Sequence, residues 1–385
     1  MKQFSFLIAL IAAFNLNAQV TVFDTITSGG IERDYRMYVP ANYDGSEAVP
    51  LLLNLHGYSS DNFGQALYAN FNPVADTAGF ITVLPNGTFD PLNPIYRYWN
   101  CFIGDDIGVD DVQFISDLID SISANYNIDP NRIYSTGMSN GGFMSHTLAC
   151  ELSNKIAAIA SVAGVMSKAR LSTCNAEHNM PVMQIHGTAD GTVPYNGNAD
   201  WVSVDSIINY WVDHNHCITD PTFTEVPDVI TADLCTAEHY VYGGCYKGIT
   251  TELYKIIGGE HTWPGTSIIF LGVTNQDINA CAEIWKFLSR YRLDELTAVD
   301  ENIGNEIKDI YLQPNPFANS FSLQLNPEMK INKVLVYDYT SRIIFSTTDL
   351  NQTNLILNTE SWMKGIYIIS LQSDSGPINK QVVKM

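Results

Sequence analysis

One short stretch constrains the fold of this chain more than any other. Arg132 to Thr136 reads as a buried strand, Gly137-Met138-Ser139-Asn140-Gly141 follows at once, and from Gly142 the apolar spacing is helical. A Gly-x-Ser-x-Gly match is weak alone. Set between a strand and a helix, it is the context in which a serine is held on a sharp turn with its hydroxyl presented outward. The flanking glycines allow the turn to tighten and let neighbouring backbone pass close. The helix start beyond Ser139 offers unpaired N–H groups to a developing negative charge.

The surrounding pattern agrees with that context. "VTVFDTIT" and "RDYRMYVP" alternate around "SGG" and predict a hairpin over residues 21–40. "VPLLLNLHG", "GFITVLPNG", "IAAIASVAG" and "PVMQIHG" are short apolar runs ending in glycine, as buried parallel strands do. Between them, Val112, Ile115, Leu118, Ile119, Ile122 and Tyr126 fall at helical spacing behind Asp110 and Asp111. Trp201, Val204, Ile208 and Trp211 mark a further helix, and "INACAEIWKFLSRY" a last one after the strand "TELYKIIGG". Strands alternating with helices predict an α/β fold with a mostly parallel sheet covered on both faces. Beyond Arg292 an acidic, patternless stretch reads as a linker, and the last 75 or so residues as short alternating strands of a small all-β module.

A serine hydroxyl needs a base, and the base needs an orienting acid. Asp190 in "PVMQIHGTADGTVP" and His261 in "YKIIGGEHTWPG" each follow a strand, at the sheet end where open α/β sheets bind ligands. They come in the chain order Ser, acid, His. The Asn140 backbone N–H, next to the nucleophile, is one expected oxyanion donor. The other is the Tyr58 N–H, in the loop after "LLLNLHG". His56 and His186 read as structural. Trp99 and Trp263 are candidate walls for an aromatic or sugar group, with core packing as the equal alternative.

The first residues, Lys2 then an apolar run from Phe4 to Phe14 and the small Ala18, read as a secretory signal peptide over 1–18. The run is shorter than the roughly 20 residues a membrane span needs. The net charge of −21 argues against nucleic-acid or anionic-membrane partners. Export makes disulfides plausible for the seven cysteines, an odd count that leaves at least one unpaired. Cys150 ends the helix after the elbow and Cys174 follows the next strand, so they are expected to pair. Cys217–Cys245 is expected to close a long loop, with Cys235 as the competing partner. "DHNHC" and "EHY" contain ligand types, but their spacings match no zinc pattern, so neither metal nor cofactor is expected.

"LLLNLHGY", the stretch from Val109 through "IYSTGMSNGGFMSHTLAC", "IAAIASVAGV", "IHGTADGTVPY" and "GGEHTWPG" together resemble the secreted polyhydroxybutyrate depolymerase/feruloyl esterase-like family of α/β-hydrolases. The resemblance runs from Val49 to about Tyr291. It implies Ser139 as nucleophile, Asp190 as acid and His261 as base, the assignment the residues give by themselves. Family members usually carry glycine where this chain has Glu260, a carboxylate that would favour the protonated base. "LQPNPFANSFSLQL", "VLVYDYTSR", "GIYIISL" and "KQVVKM" resemble the C-terminal sorting domain of type IX secretion cargo. The alternative for that module is a carbohydrate-binding or adhesive domain.

The chain is thus expected to comprise a signal peptide (1–18), a catalytic domain (19–295), a linker (296–309) and a β sorting domain (310–385). The expected function is secreted serine esterase on polymer-linked esters, feruloyl or acetyl esters of plant polysaccharide before polyhydroxyalkanoate. A non-catalytic adhesive protein on the same scaffold would be expected to lack a triad member, and none is missing.

Overall fold

The computed structural model describes residues 19–101, 109–268, 272–297, 310–313, 317–325, 331–338, 342–348, 354–373 and 376–384. The expected signal peptide and most of the expected linker lie outside them. The chain forms two compact units that divide between Thr297 and Ala298.

The first unit runs β1 (Val20–Ser28), β2 (Ile31–Val39), β3 (Val49–Leu55), α1 (Asn62–Tyr68), α2 (Asn72–Ala78), β4 (Ile81–Pro85), β5 (Thr88–Asp90), β6 (Asn93–Tyr98), α3 (Asp111–Asn125), β7 (Ile128–Met138), α4 (Asn140–Glu151), β8 (Ala158–Val162), α5 (Lys168–Thr173), β9 (Val182–Gly187), α6 (Val204–His214), β10 (Thr222–Glu225), β11 (Thr236–Tyr242), β12 (Thr251–Ile257), α7 (Ala280–Leu288) and α8 (Leu293–Thr297). Ten strands form one sheet in the order β1-β2-β4-β3-β7-β8-β9-β12-β11-β10. The six from β4 to β12 are parallel. Antiparallel hairpins close both edges, β1–β2 against β4 and β11–β10 against β12.

The β3 run shows how the sheet gains two covered faces. Leu51, Leu53 and Leu55 pack with Phe114 and Leu118 of α3, Met144 and Leu148 of α4 and Trp211 of α6. Leu52, on the opposite face, joins Phe71, Phe80, Ile284 and Phe287. An uninterrupted apolar run is what a strand buried on both sides requires. Helix α3 begins as expected, with the Asp110 carboxylate accepting the Gln113 N–H. Asp111 does more than suit a helix start: it is buried and paired with Arg33 at 2.6 Å, tying α3 to β2.

Leu293 and Leu296 of α8 are buried with the second face of the sheet, and the Lys247 ammonium donates to the Glu295 and Leu296 carbonyls. The first unit therefore keeps residues to Thr297, two beyond the boundary expected at 295.

The second unit holds β13 (Ile310–Gln313), β14 (Ser320–Leu325), β15 (Ile331–Asp338), β16 (Ile343–Thr347), β17 (Asn354–Asn358), β18 (Gly365–Ser373) and β19 (Gly376–Lys384). They form two antiparallel sheets, β13-β14-β17 and β16-β15-β18-β19. Phe321 and Leu323 of one sheet and Val334, Val336, Ile369 and Val382 of the other share one apolar core.

Candidate active site

Ser139 stands between the last residue of β7 and the first of α4 with φ 54° and ψ −118°. A non-glycine residue at positive φ is strained and is kept only where its surroundings fix it. They do so here: the Ser139 N–H donates to the Val162 carbonyl at 2.8 Å, and the Ser139 carbonyl accepts the Phe143 N–H at 2.9 Å. Two glycines make the turn sterically possible. A Cβ on Gly141 would overlap the Leu55 carbonyl oxygen, and one on Gly164 would stand 2.6 Å from the Ser139 carbonyl oxygen.

Asp190 follows β9 and His261 follows β12, and those strands are neighbours in the sheet. The His261 Nδ1–H donates to Asp190 Oδ2 at 2.7 Å. The other oxygen, Oδ1, accepts the N–H groups of Thr192 (2.9 Å) and Val193 (2.8 Å). The Asp190 side chain is fully buried. Burial alone would raise its pKa. Hydrogen bonding from His186 and His261 outweighs it and holds the carboxyl well below the usual carboxylate range. The Ser139 hydroxyl has no hydrogen-bond partner among the described residues, so Asp190 and His261 are joined to each other and not to the serine. Such serine–base contacts commonly tighten only when substrate binds.

Neither the Tyr58 nor the Asn140 backbone N–H meets a protein acceptor among the described residues. Hydrogen bonds hold the turn around them. His56 Nδ1–H donates to the Gly57 carbonyl (2.8 Å), and its Nε2 accepts the Gly87 N–H (2.9 Å), which fixes the tautomer. Burial lowers the His56 pKa to about 4, so the ring is neutral. A Cβ on Gly57 would lie 3.4 Å from the Ser139 Cβ, which places this turn directly beside the elbow. The Tyr58 ring is 44 % exposed, with its hydroxyl donating to Asp90 at 2.7 Å.

Trp99 and Trp263 are 0 % and 1 % exposed, so neither is a wall facing solvent or substrate. Trp99 is a brace: its indole N–H donates to the His56 carbonyl (2.9 Å) and its amide to Asn140 Oδ1 (2.6 Å). The Asn140 amide nitrogen in turn donates to the Trp99 carbonyl and the Cys101 sulfur, both at 3.2 Å. Sequence reasoning assigned Asn140 only through its backbone and did not find this clamp. Glu260 turns to its own loop, where its carboxylate accepts the Val273 N–H at 2.8 Å.

Disulfides join Cys150 to Cys174 and Cys217 to Cys245, so Cys245 and not Cys235 takes Cys217. Cys235 and Cys281 are buried thiols. Among the described residues no three or more His, Cys, Asp or Glu side chains are grouped to hold a metal ion, and no helix is long and apolar enough to cross a membrane.

A serine on a strained strand-to-helix turn, with an Asp–His pair on loops of neighbouring strands of a parallel sheet, defines an α/β-hydrolase. The chain belongs to the esterase PHB depolymerase family, whose description matches residues 33–213. It is 32 % identical to feruloyl esterase D of Neurospora crassa over 284 residues, 69 % of this chain and 85 % of that protein. It is 28 % identical to a bifunctional acetylxylan esterase/xylanase of Neocallimastix patriciarum, over 74 % of this chain but 37 % of that one. It likewise covers 41 % of feruloyl esterase B of Piromyces equi. The fold matches acetyl xylan esterase from Aspergillus awamori with a TM-score of 0.51 at 13 % identity, over 70 % of this chain and 99 % of that one. Residues 310–385 match the secretion system C-terminal sorting domain, which makes the chain an exported or cell-surface protein.

Proposed function

We propose that the protein is an exported serine esterase that hydrolyses carboxylic esters carried on polymers, feruloyl or acetyl esters of plant polysaccharide in particular. The observation that supports this most is the Asp190–His261 hydrogen bond, formed at the sheet end that also carries the Ser139 elbow. In this reading Ser139 Oγ attacks the ester carbonyl while His261 Nε2 takes its proton. Asp190 keeps the imidazole in the Nδ1–H tautomer and stabilises it once charged. The Tyr58 and Asn140 amides receive the oxyanion. His261 returns the proton to the leaving alcohol, water attacks the acyl-enzyme with His261 as base, and Ser139 is regenerated. No metal or cofactor enters any of these steps.

The substrate class rests on the feruloyl and acetylxylan esterases among the relatives. In the same reading residues 1–18 direct export, 19–297 carry catalysis and 310–385 hand the chain to a type IX secretion machinery. The test is a hydrolysis panel of a short nitrophenyl ester, methyl ferulate, acetylated xylan and a hydroxybutyrate oligomer, with Ser139→Ala as control. Ferulate or acetyl release that vanishes in a folded Ser139→Ala protein is the expected result. Retained activity in that variant would sink the mechanism, and turnover of the hydroxybutyrate oligomer alone would move the substrate to polyesters.

A further inference from the structure

Four side chains outside the reacting atoms form a buried polar chain that ends at the Asp190 loop. Trp211 of α6, His146 of α4, Gln184 and His186 of β9 are each no more than 1 % exposed. The Trp211 indole N–H donates to His146 Nδ1 at 3.4 Å. His146 Nε2 meets Gln184 Oε1 at 3.1 Å. Gln184 Nε2 meets His186 Nδ1 at 3.1 Å and the Gly164 carbonyl at 2.8 Å. His186 Nε2 meets the Val193 carbonyl at 2.8 Å and lies 3.4 Å from Asp190 Oδ2.

The two ends of the chain fix every proton in it. A backbone carbonyl only accepts, so His186 Nε2 carries hydrogen and donates to Val193. The Gly164 carbonyl likewise only accepts, so the Gln184 nitrogen beside it is the amide donor, and His186 Nδ1, which meets the same nitrogen, is an acceptor. Gln184 must turn its amide nitrogen to that acceptor and to the Gly164 carbonyl, which leaves Oε1 for His146. His146 Nε2 therefore donates, and its Nδ1 accepts from an indole that can only donate. Burial lowers the His146 pKa to about 4, in keeping with a neutral ring.

We propose that His186, set in one tautomer by Gln184, His146 and Trp211, is a positioning residue for the catalytic acid. Its N–H pins the Val193 carbonyl, and the Val193 N–H binds Asp190 Oδ1. The same ring faces Oδ2, the oxygen that receives His261. The other branch of the chain ends on Gly164, which packs against the Ser139 carbonyl. One network thus sets the acid relative to the elbow. This inference rests on the serine mechanism proposed above.

The test uses the full chain with 4-nitrophenyl acetate, and proton NMR of the far-downfield His261 Nδ1–H resonance. His186→Leu is expected to lower kcat roughly 10- to 100-fold, the usual loss for a partner that orients a catalytic ligand, with KM unchanged and the resonance shifted or lost. His186→Gln, which keeps a donor within reach of Val193, recovers most of the rate. Gln184→Met leaves His186 in place but frees its tautomer, and carries the test if His186→Leu does not fold; a several-fold loss of kcat is expected. Wild-type kcat with an unmoved resonance in folded His186→Leu or Gln184→Met overturns the proposal. Retained hydrolysis in Ser139→Ala would instead overturn the serine mechanism, and this proposal with it.

Discussion

Asp190 divides its two oxygens between tasks: Oδ2 takes the His261 Nδ1–H at 2.7 Å, and Oδ1 takes the amides of Thr192 and Val193. In Asp190→Asn the Oδ1 position can still serve the two amides, so the loop should hold. The amide nitrogen would then face His261 Nδ1 and demand the opposite tautomer, with the proton on the wrong nitrogen. Loss of kcat by about four powers of ten is expected, as for a Ser-His-Asp triad whose acid becomes an amide. Steady-state kinetics beside a melting curve would check it; near wild-type turnover would refute the assignment of Asp190.

The Asn140 side chain spans Trp99 and Cys101, and Trp99 in turn holds the His56 carbonyl. Asn140→Ala keeps the backbone amide beside Ser139 but leaves the buried Trp99 amide and carbonyl without that partner. Stability should fall by about 1–3 kcal/mol, the cost of an unsatisfied buried group. The oxyanion turn should also loosen, so kcat drops more than KM rises. Denaturant titration and kinetics on one small ester separate the two effects. An unchanged kcat would mean that the clamp does not reach the oxyanion site.

Much of this site was legible in the sequence because each part sits in a local signature. Ser139, Asp190 and His261 each follow an apolar run and stand among glycines, so neighbouring residues mark them as candidates. The Cys150–Cys174 pair follows from the order of elements, and Cys217–Cys245 from the long loop it closes, where only the structure decides against Cys235. What escaped was non-local. The Asn140 clamp joins residues 41 apart, and the His146–Gln184 contact joins residues 38 apart. No period or motif reports such pairs. Trp99 shows the limit from the other side: a tryptophan near the active loop reads equally as wall or core, and only its burial decides. The β5–β6 and β10–β11 hairpins also went unread, because Pro91 and Pro94 interrupt the first and the second opens on β10, a four-residue exposed strand.

Acid should destabilise the first unit through His56 and His146. Burial lowers both pKa values to about 4, while the unfolded chain titrates near 6.5. Between those values the unfolded state binds more protons, so stability rises with pH across that window. It is fully present above pH 6.5 and is lost progressively as pH falls towards 4, by on the order of 3 kcal/mol for each ring. Denaturant midpoints at pH 7, 5.5 and 4.5 would show the decline, and His146→Gln should flatten it. A midpoint independent of pH over that range would contradict the neutral, buried assignment.

The two disulfides close segments of similar length, with sequence separations of 24 and 28. On the chain-entropy account each contributes about 3 kcal/mol by restricting the unfolded chain. Cys150–Cys174 ties the end of α4 to the residue after α5, and Cys217–Cys245 closes the segment that carries β10 and β11. Neither bridge touches the Asp190–His261 pair. Cys174→Ser or Cys245→Ser should therefore lower the melting temperature while leaving kcat of the folded enzyme close to wild type. A matching drop in kcat at temperatures well below melting would assign the bridge a role in shaping the site.

Where the chain can be cut follows from α8. Leu293 and Leu296 are buried, Arg292 pairs with Asp129 at 2.9 Å, and Lys247 donates to two α8 carbonyls. Truncation after Thr297 removes none of these contacts and none of the five groups assigned to catalysis. Hydrolysis of a small soluble ester should stay nearly unchanged. Truncation after Arg292 exposes the surface under both leucines, at roughly 1.5–3 kcal/mol for each. That shorter protein should melt markedly lower even where it still turns over substrate. In a host with a type IX system, the protein cut after Thr297 should no longer be exported, because the sorting domain at 310–385 is gone. Normal secretion of the truncated chain combined with lost binding to insoluble polysaccharide would make the β module a binding domain instead. Equal melting temperatures for the two truncations would show that α8 contributes nothing to the catalytic unit.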